Sequence, residues 1–317
     1  MLTQLPDTDT LHFTIIAPWV LLLRHVPRKE GSRRPGQPIR PGARASWHPG
    51  GMCGRYAASR RPEDLAVEFE IDPAAVPTEP LPPDYNVAPT KSVYAVLERP
   101  AAEADDDDKE PVRQLRVLRW GLVPSWAKDP GIGIRLINAR IETAPLKPSF
   151  RKAFAQRRCL LPADGYYEWY GEKGRKQPFF IHPHDGGVLP MAGLYELWRD
   201  PDRADDDPNR WLWTAVVLTT QAPDDLGRIH DRMPLLVERD RCSDWLDPTR
   251  NDADALRKLL VPAAPGRLEA YPVSTEVSNV RNNGPQLLDP LALEAPIEVE
   301  DHVGSAQTAA SDEPTLF

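Results

Sequence analysis

The sequence predicts an α+β fold: a single compact domain with a mainly antiparallel, barrel-like β core and peripheral short helices. Three observations support this. Short stretches rich in β-branched and aromatic residues recur along much of the chain. Loops, rather than long helices, separate them, so there is no βαβ rhythm. Helical patterns are few and brief, and the sequence has no internal repeat.

Residues 59–70 (SRRPEDLAVEFE) read as a short helix. Pro62 suits its first turn, Glu63 and Asp64 complement its dipole, and Leu65 and Phe69 share a face. A proline-rich loop follows and contains YNVAPT. Strands are predicted over 92–98, 114–120, 158–162, 177–182, 188–194, 211–219 and 235–237, and helices over 148–155, 240–246 and 252–259, with a brief one at 224–227. Together these place the folded domain at 52–290. The stretch before it, 1–51, is expected to be a disordered extension, either a removed leader or the product of a mis-assigned start. Its apolar run 11–23 is shorter than the about 20 residues that a membrane span needs, and acidic Asp7 and Asp9 stand where a signal peptide carries positive charge. Residues 291–317 read as a disordered acidic tail.

The formal net charge of −8 argues at first against a nucleic-acid partner, but its distribution reverses the argument. Acidic groups concentrate in 103–110 (EADDDDKE), 200–207 (DPDRADDD) and the tail, whereas 131–176 holds ten Lys/Arg against four Asp/Glu. A basic patch on the domain body is expected. The three cysteines, Cys53, Cys159 and Cys242, are too few and too scattered for a disulfide framework or a zinc knuckle. A reduced cytoplasm fits them. Cys159 reads as strand core and Cys242 as a helix residue, both inert; His182 and His184 (IHPHDGG) read as part of a turn rather than a metal site. No metal or cofactor is expected.

Cys53, in MCGRYA, directly follows Met52. Were that methionine trimmed from a chain beginning there, Cys53 would present a thiol and an α-amine on adjacent carbons, a pair that condenses with an aldehyde to an imine and then a thiazolidine. The α-amine has a pKa of about 7.7–8.0, so roughly one-tenth is neutral at pH 7, about two orders of magnitude more than for lysine. Ring closure by the thiol is intramolecular, where effective molarities reach ~10⁵ M or more. An internal cysteine would have only the thiol; the commoner fate of a lone cysteine is burial.

Further candidates are Asn86 and Pro89 in YNVAPT, Trp120 and Trp126 in RWGLVPSWAKD, Asn138 and Arg140 in LINARIET, Glu168 in DGYYEW, and His230 in IHDRMP. With MCGRYA and the later YPVSTEVSNVRNNG, this ordered set resembles the SRAP family, named for an SOS-response-associated peptidase and understood as abasic-site processing proteins. The resemblance covers roughly 52–290. It implies a covalent trap for abasic sites in single-stranded DNA, in which Cys53 captures the aldehyde of the ring-opened sugar. Glu168 would be the general acid/base, and His230 would assist ring opening and reversal. Asn138 would hold the amine or the sugar oxygen. Arg140 and Arg55 would clamp phosphates, and Pro89 would lie in the DNA-binding loop. Trp120 and Trp126 would be either stacking platforms or core. Asn86, Asn279 and Asn282 would fasten loops around the pocket.

Two other readings stand beside this one. Cys53 and His230 would form the nucleophile–base pair of a thiol peptidase, with Glu168 or Asn138 orienting the base and self-cleavage after Met52 exposing the amine. Alternatively, the chain is a non-catalytic single-strand binding module. The C-terminus, Glu313-Pro314-Thr315-Leu316-Phe317, resembles sliding-clamp docking peptides, with Glu313 where glutamine is usual. A cytoplasmic monomer that joins the nucleoid when bound to DNA is expected.

Overall fold

The computed structural model describes residues 54–291, apart from 100–110, 173, 223–225, 227–228, 261 and 265. Cys53, the expected leader 1–51 and the clamp-like ending at 313–317 lie outside the described residues, as does most of the helix expected at 224–227. No described helix is long and apolar enough to cross a membrane.

Five strands close into a barrel. β3 (Ser92–Arg99) and β4 (Val112–Trp120) form a long hairpin paired from Ser92↔Arg119 to Arg99↔Val112. β3 also pairs with β6 (Arg158–Ala163), β6 with β9 (Leu189–Arg199), and β9 with β10 (Trp211–Gln221), all antiparallel. β10 then runs parallel to β4 through Thr214↔Arg119 and Ala215↔Trp120, which completes the ring. The expected mainly antiparallel barrel therefore forms, with one parallel seam. Alternation of side chains places Val93, Ala95, Leu97, Leu118, Trp120, Cys159, Leu161, Met191, Ala215 and Val217 in one buried cluster. The intervening Val96, Leu160, Leu194 and Val216 belong to a second cluster, shared with the helices.

A second sheet, ordered β12-β8-β7-β1-β2, packs on this barrel and is antiparallel throughout. Its strands are β1 (Tyr56–Ala58), β2 (Asp84–Val87), β7 (Gly165–Tyr170), β8 (Gln177–Pro183) and β12 (Leu268–Pro272). Only β8 was legible in advance. The others are short, and β7 buries four consecutive residues, so no alternation marks it. Asn86, expected in a loop, lies on β2. The chain passes from barrel to second sheet at Asp164, whose N–H donates to the Ala57 carbonyl, and Gly165. A Cβ on Gly165 would stand 2.4 Å from the Phe180 ring and 2.6 Å from the Ile181 carbonyl oxygen, so only glycine fits there.

The helices are shorter than predicted. α1 is Pro62–Glu68, because the residue before a proline is pushed out of the helical region and Arg61 is extended, while Glu70 at φ 54° ends the run. α2 (Arg151–Gln156), α3 (Cys242–Leu246) and α4 (Ala253–Leu259) cover the barrel. The buried Arg158 fastens α2 and α3: its guanidinium donates to the carbonyls of Phe154 (3.0 Å), Ala155 (2.6 Å), Trp245 (2.6 Å) and Asp247. Burial pulls its pKa down to about 10. The strand expected at 235–237 is displaced to β11 (Arg232–Pro234); Leu235, Leu236 and Val237 instead bridge the ends of β10 and β9.

Candidate functional site

The C-terminal half of β10 organises three of the candidate residues, Asn138, Arg140 and His230. β5 (Asn138–Arg140) lies parallel along one edge, with Val217↔Asn138 and Thr219↔Arg140. β11 lies antiparallel along the other, with Thr219↔Pro234 and Gln221↔Arg232. Two motifs distant in sequence thus meet at one end of one strand. Asn138 is half-buried and Arg140 exposed.

His230 stands two residues before β11. Its Nδ1 accepts the Arg232 N–H at 3.1 Å and lies 3.2 Å from Asp231 Oδ1. A neutral ring that accepts at Nδ1 carries its proton on Nε2, so the imidazole offers an N–H donor at its far nitrogen. Arg232 is a residue of this region that the sequence reading missed. Its guanidinium forks onto Glu142 at 2.6 and 3.0 Å and donates to the Thr219 carbonyl at 2.7 Å, lacing β11 to the turn after β5. The Arg232 hydrogen bond holds the Glu142 carboxyl below its ordinary range. Both residues sit inside quoted motifs, IHDRMP and INARIET, and that was the available signal.

Glu168 lies on β7 opposite Phe179 and is only 3% exposed, so it is not a strand-end surface carboxylate. Beside it in the sheet, Tyr56 of β1 faces Tyr166. Tyr56 meets Trp120 edge-on at 5.0 Å, and the Trp120 indole N–H donates 2.9 Å to the Ile137 carbonyl. Tyr56, Tyr166, Trp120, Val217 and Met233 share one apolar cluster, against which Ile137 and Leu226 pack. Candidates from β5, β7 and the turn before β11 therefore stand on a common apolar floor, to which Tyr56 of β1 contributes.

Trp120, open in the sequence between stacking platform and core, is core and not a DNA-facing platform, because it is fully buried. Trp126 is 59% exposed. Its loop is pinned by a close backbone approach of Gly121 and Gly133, by Val123 N–H to Thr214 Oγ1 (2.9 Å), and by the Trp198 indole to the Ala127 carbonyl (2.7 Å). Half-buried Pro89 sits on a tight turn whose next residue, Thr90, is left-handed at φ 74° and donates its N–H to the Trp120 carbonyl.

Arg55 is more committed than a phosphate clamp would be. Its Nη1 donates to Asn86 Oδ1 at 2.6 Å and to the Val277 carbonyl at 2.8 Å, which leaves only its other N–H groups for a strand. Burial lowers its pKa. Asn86 in turn donates to the carbonyls of Val277, Asn279 and Asn282.

Burial pushes up the thiol pKa of Cys159, and that of Cys242 to about 11, which suits inert thiols. His182 and His184 both pair with Glu269 on β12, at 3.2 and 3.0 Å. Among the described residues no group of three or more His, Cys, Asp or Glu could hold a metal ion. The site thus offers a buried carboxylate, an imidazole N–H, an amide and exposed cations, a set suited to moving protons beside an anionic ligand.

Residues 52–280 match the family described as SOS response associated peptidase (SRAP). The abasic site processing protein YoqW of Bacillus subtilis is 37% identical over 239 residues, covering 75% of this chain and 99% of that protein. The abasic site processing protein HMCES of Gallus gallus is 34% identical over 241 residues, covering 69% of each chain. A crystal structure of a protein from Bacteroides thetaiotaomicron superposes with a TM-score of 0.61 at 24% identity, over 76% of this chain and 100% of that one, a likeness of fold.

Proposed function

The chain belongs to the SOS response associated peptidase (SRAP) family, and on that premise we propose that it processes abasic sites in single-stranded DNA by forming a covalent thiazolidine crosslink through Cys53. The observation that carries this reading is the common apolar floor beneath Asn138, Glu168 and the turn bearing His230, to which Tyr56 of β1, three residues after Cys53, contributes. The names of the relatives support the substrate. The family match beginning at residue 52 supports a mature chain whose first residue is Cys53.

In this mechanism the neutral α-amine of Cys53 adds to the aldehyde carbon of the ring-opened deoxyribose, giving a carbinolamine. Loss of water, with one proton delivered to the departing hydroxyl, gives the imine. The Cys53 sulfur then forms a bond to the imine carbon, its proton passes to the nitrogen, and the five-membered ring closes. Glu168, shielded from bulk water, exchanges the protons of the first two steps. The Nε2–H of His230 donates to a sugar oxygen as the furanose opens and again on reversal. Asn138 holds the amine or that oxygen, while Arg140 pairs with a flanking phosphate. Trp126 supplies a face for a base.

The test is a denaturing gel of the protein with an abasic oligonucleotide. Wild type should give a band that survives heat and detergent, and Cys53→Ala should give none. An undiminished band with Cys53→Ala, or intact mass showing residues 1–52 retained on the crosslinking species, would end this reading.

A further inference from the structure

We propose that Asn86 is a positioning residue for the N-terminal nucleophile, acting through Arg55 and the 275–284 segment; the inference rests on the reading of Cys53 given above. Asn86 is fully buried, and both polar ends of its amide are engaged. Its Oδ1 accepts Arg55 Nη1 at 2.6 Å, and its Nδ2 donates to the carbonyls of Asn282 (2.9 Å), Asn279 (3.0 Å) and Val277 (3.2 Å). One side chain thereby joins the second residue after Cys53 to a segment from the far end of the domain.

That segment is fixed independently on both flanks. Asn283 accepts the Tyr85 N–H at 2.8 Å and donates to the Pro83 carbonyl at 3.1 Å. Ser278 Oγ accepts the Trp169 indole N–H at 3.0 Å, and the Arg55 guanidinium lies 5.7 Å from the same indole ring. Behind Arg55, the Tyr167 N–H donates to the Arg55 carbonyl, and the Tyr167 hydroxyl donates to the Tyr85 carbonyl at 2.8 Å. β1 is only three residues long, and its ladder reaches back to Arg55 through a single backbone bond, from Tyr167. The side-chain bonds of Arg55 add two further fixed points there.

The expense of the arrangement points the same way. A half-buried guanidinium is desolvated here against neutral acceptors, the Asn86 amide and a backbone carbonyl. The nearest carboxylate on β2, Asp84, is occupied by Lys91 at 2.6 Å. The Nε–H of Arg55 is buried and has no acceptor among the described residues. An apolar side chain would pack at this place without those costs, whereas an arginine fixed at two points sets the direction in which the chain enters β1.

The experiment compares Arg55→Lys and Asn86→Ala with wild type. It measures the single-turnover crosslinking rate at saturating abasic strand and the dissociation constant for an undamaged strand of the same sequence. Positioning predicts that Arg55→Lys, which keeps the charge but not the two-point anchor, slows crosslinking by about tenfold or more while affinity stays within about twofold. Asn86→Ala should slow it similarly, and the double variant should be no slower than the worse single one. If Asn86→Ala does not fold, Arg55→Lys alone decides. Weakened affinity with an unchanged rate would make Arg55 a phosphate clamp and overturn the proposal; no change in either quantity would overturn it too. Cys53→Ala is run alongside: an adduct that persists there sinks the Cys53 reading, whereas a Cys53-dependent adduct untouched by Arg55→Lys sinks only this inference.

Discussion

The indole Nε1–H of Trp120 donates a 2.9 Å hydrogen bond to the carbonyl oxygen of Ile137, one residue before Asn138. A tryptophan that looks in sequence like a base-stacking platform is thus a strut, tying the end of β4 to the start of β5. Its neighbour in the same motif, Trp126, faces solvent.

The two tryptophans should therefore separate cleanly. Trp120→Ala removes a fully buried aromatic and is expected to cost about 3–5 kcal/mol of stability, read from urea midpoints. Trp126→Ala should change stability by no more than about 0.5 kcal/mol yet weaken single-stranded DNA binding by about 1–3 kcal/mol, read by fluorescence anisotropy. Equal stability losses would refute the division.

Arg158 gathers four backbone carbonyls from α2, α3 and the turn beyond. Arg158→Met would leave those acceptors buried without a donor, at about 1–3 kcal/mol for each that water cannot reach. A loss of at least about 3 kcal/mol is expected in equilibrium denaturation. Arg158→Lys should rescue little, because a single ammonium cannot fork across two helix ends.

Glu142 and Arg232 give a pH signature. The hydrogen bond from Arg232 holds the Glu142 carboxyl below its usual 4.5 in the folded protein. The stabilisation is therefore present above the unfolded value and is lost as pH falls through the folded one. Wild type should be more stable than Glu142→Gln near neutral pH, and the gap should close as acid is added below 4.5. Paired urea melts at neutral and acid pH check this; a gap that widened in acid would exclude the ion pair as its cause.

Gly121 adopts φ 119°, and a Cβ there would stand 2.7 Å from the Gly133 carbonyl oxygen. Gly121→Ala should cost about 1–3 kcal/mol from backbone strain alone. It should also loosen the loop that carries Trp126, visible as faster amide exchange in that loop. Unaltered exchange there would show that the other anchors suffice.

Legibility in the sequence followed range. The barrel strands β3, β4, β6, β9 and β10 are six to eleven residues long and rich in apolar side chains, and each was expected to start within two positions of where it does, although β9 runs to Arg199, past its expected end at 194. β1, β2 and β5 have only three or four residues, too few for a period to register, and β7 is buried on consecutive positions. The candidate residues were found through the order of motifs rather than through pattern. What stayed hidden depends on partners far away in the chain: Asn86 beneath Arg55, and Arg232 across from Glu142. No local propensity encodes such pairs.

β10 has a consequence for biogenesis. Among the described residues it closes the ring by pairing with both β4 and β9, and it is the strand on which β5 and β11 pair. A nascent polypeptide that has already emerged through β9 still has no register against which Asn138 can settle, and the His230 turn is made only after β10. Non-local pairing of this kind is slow relative to hairpin formation. The candidate site therefore assembles only after β10 has been made, together with closure of the ring.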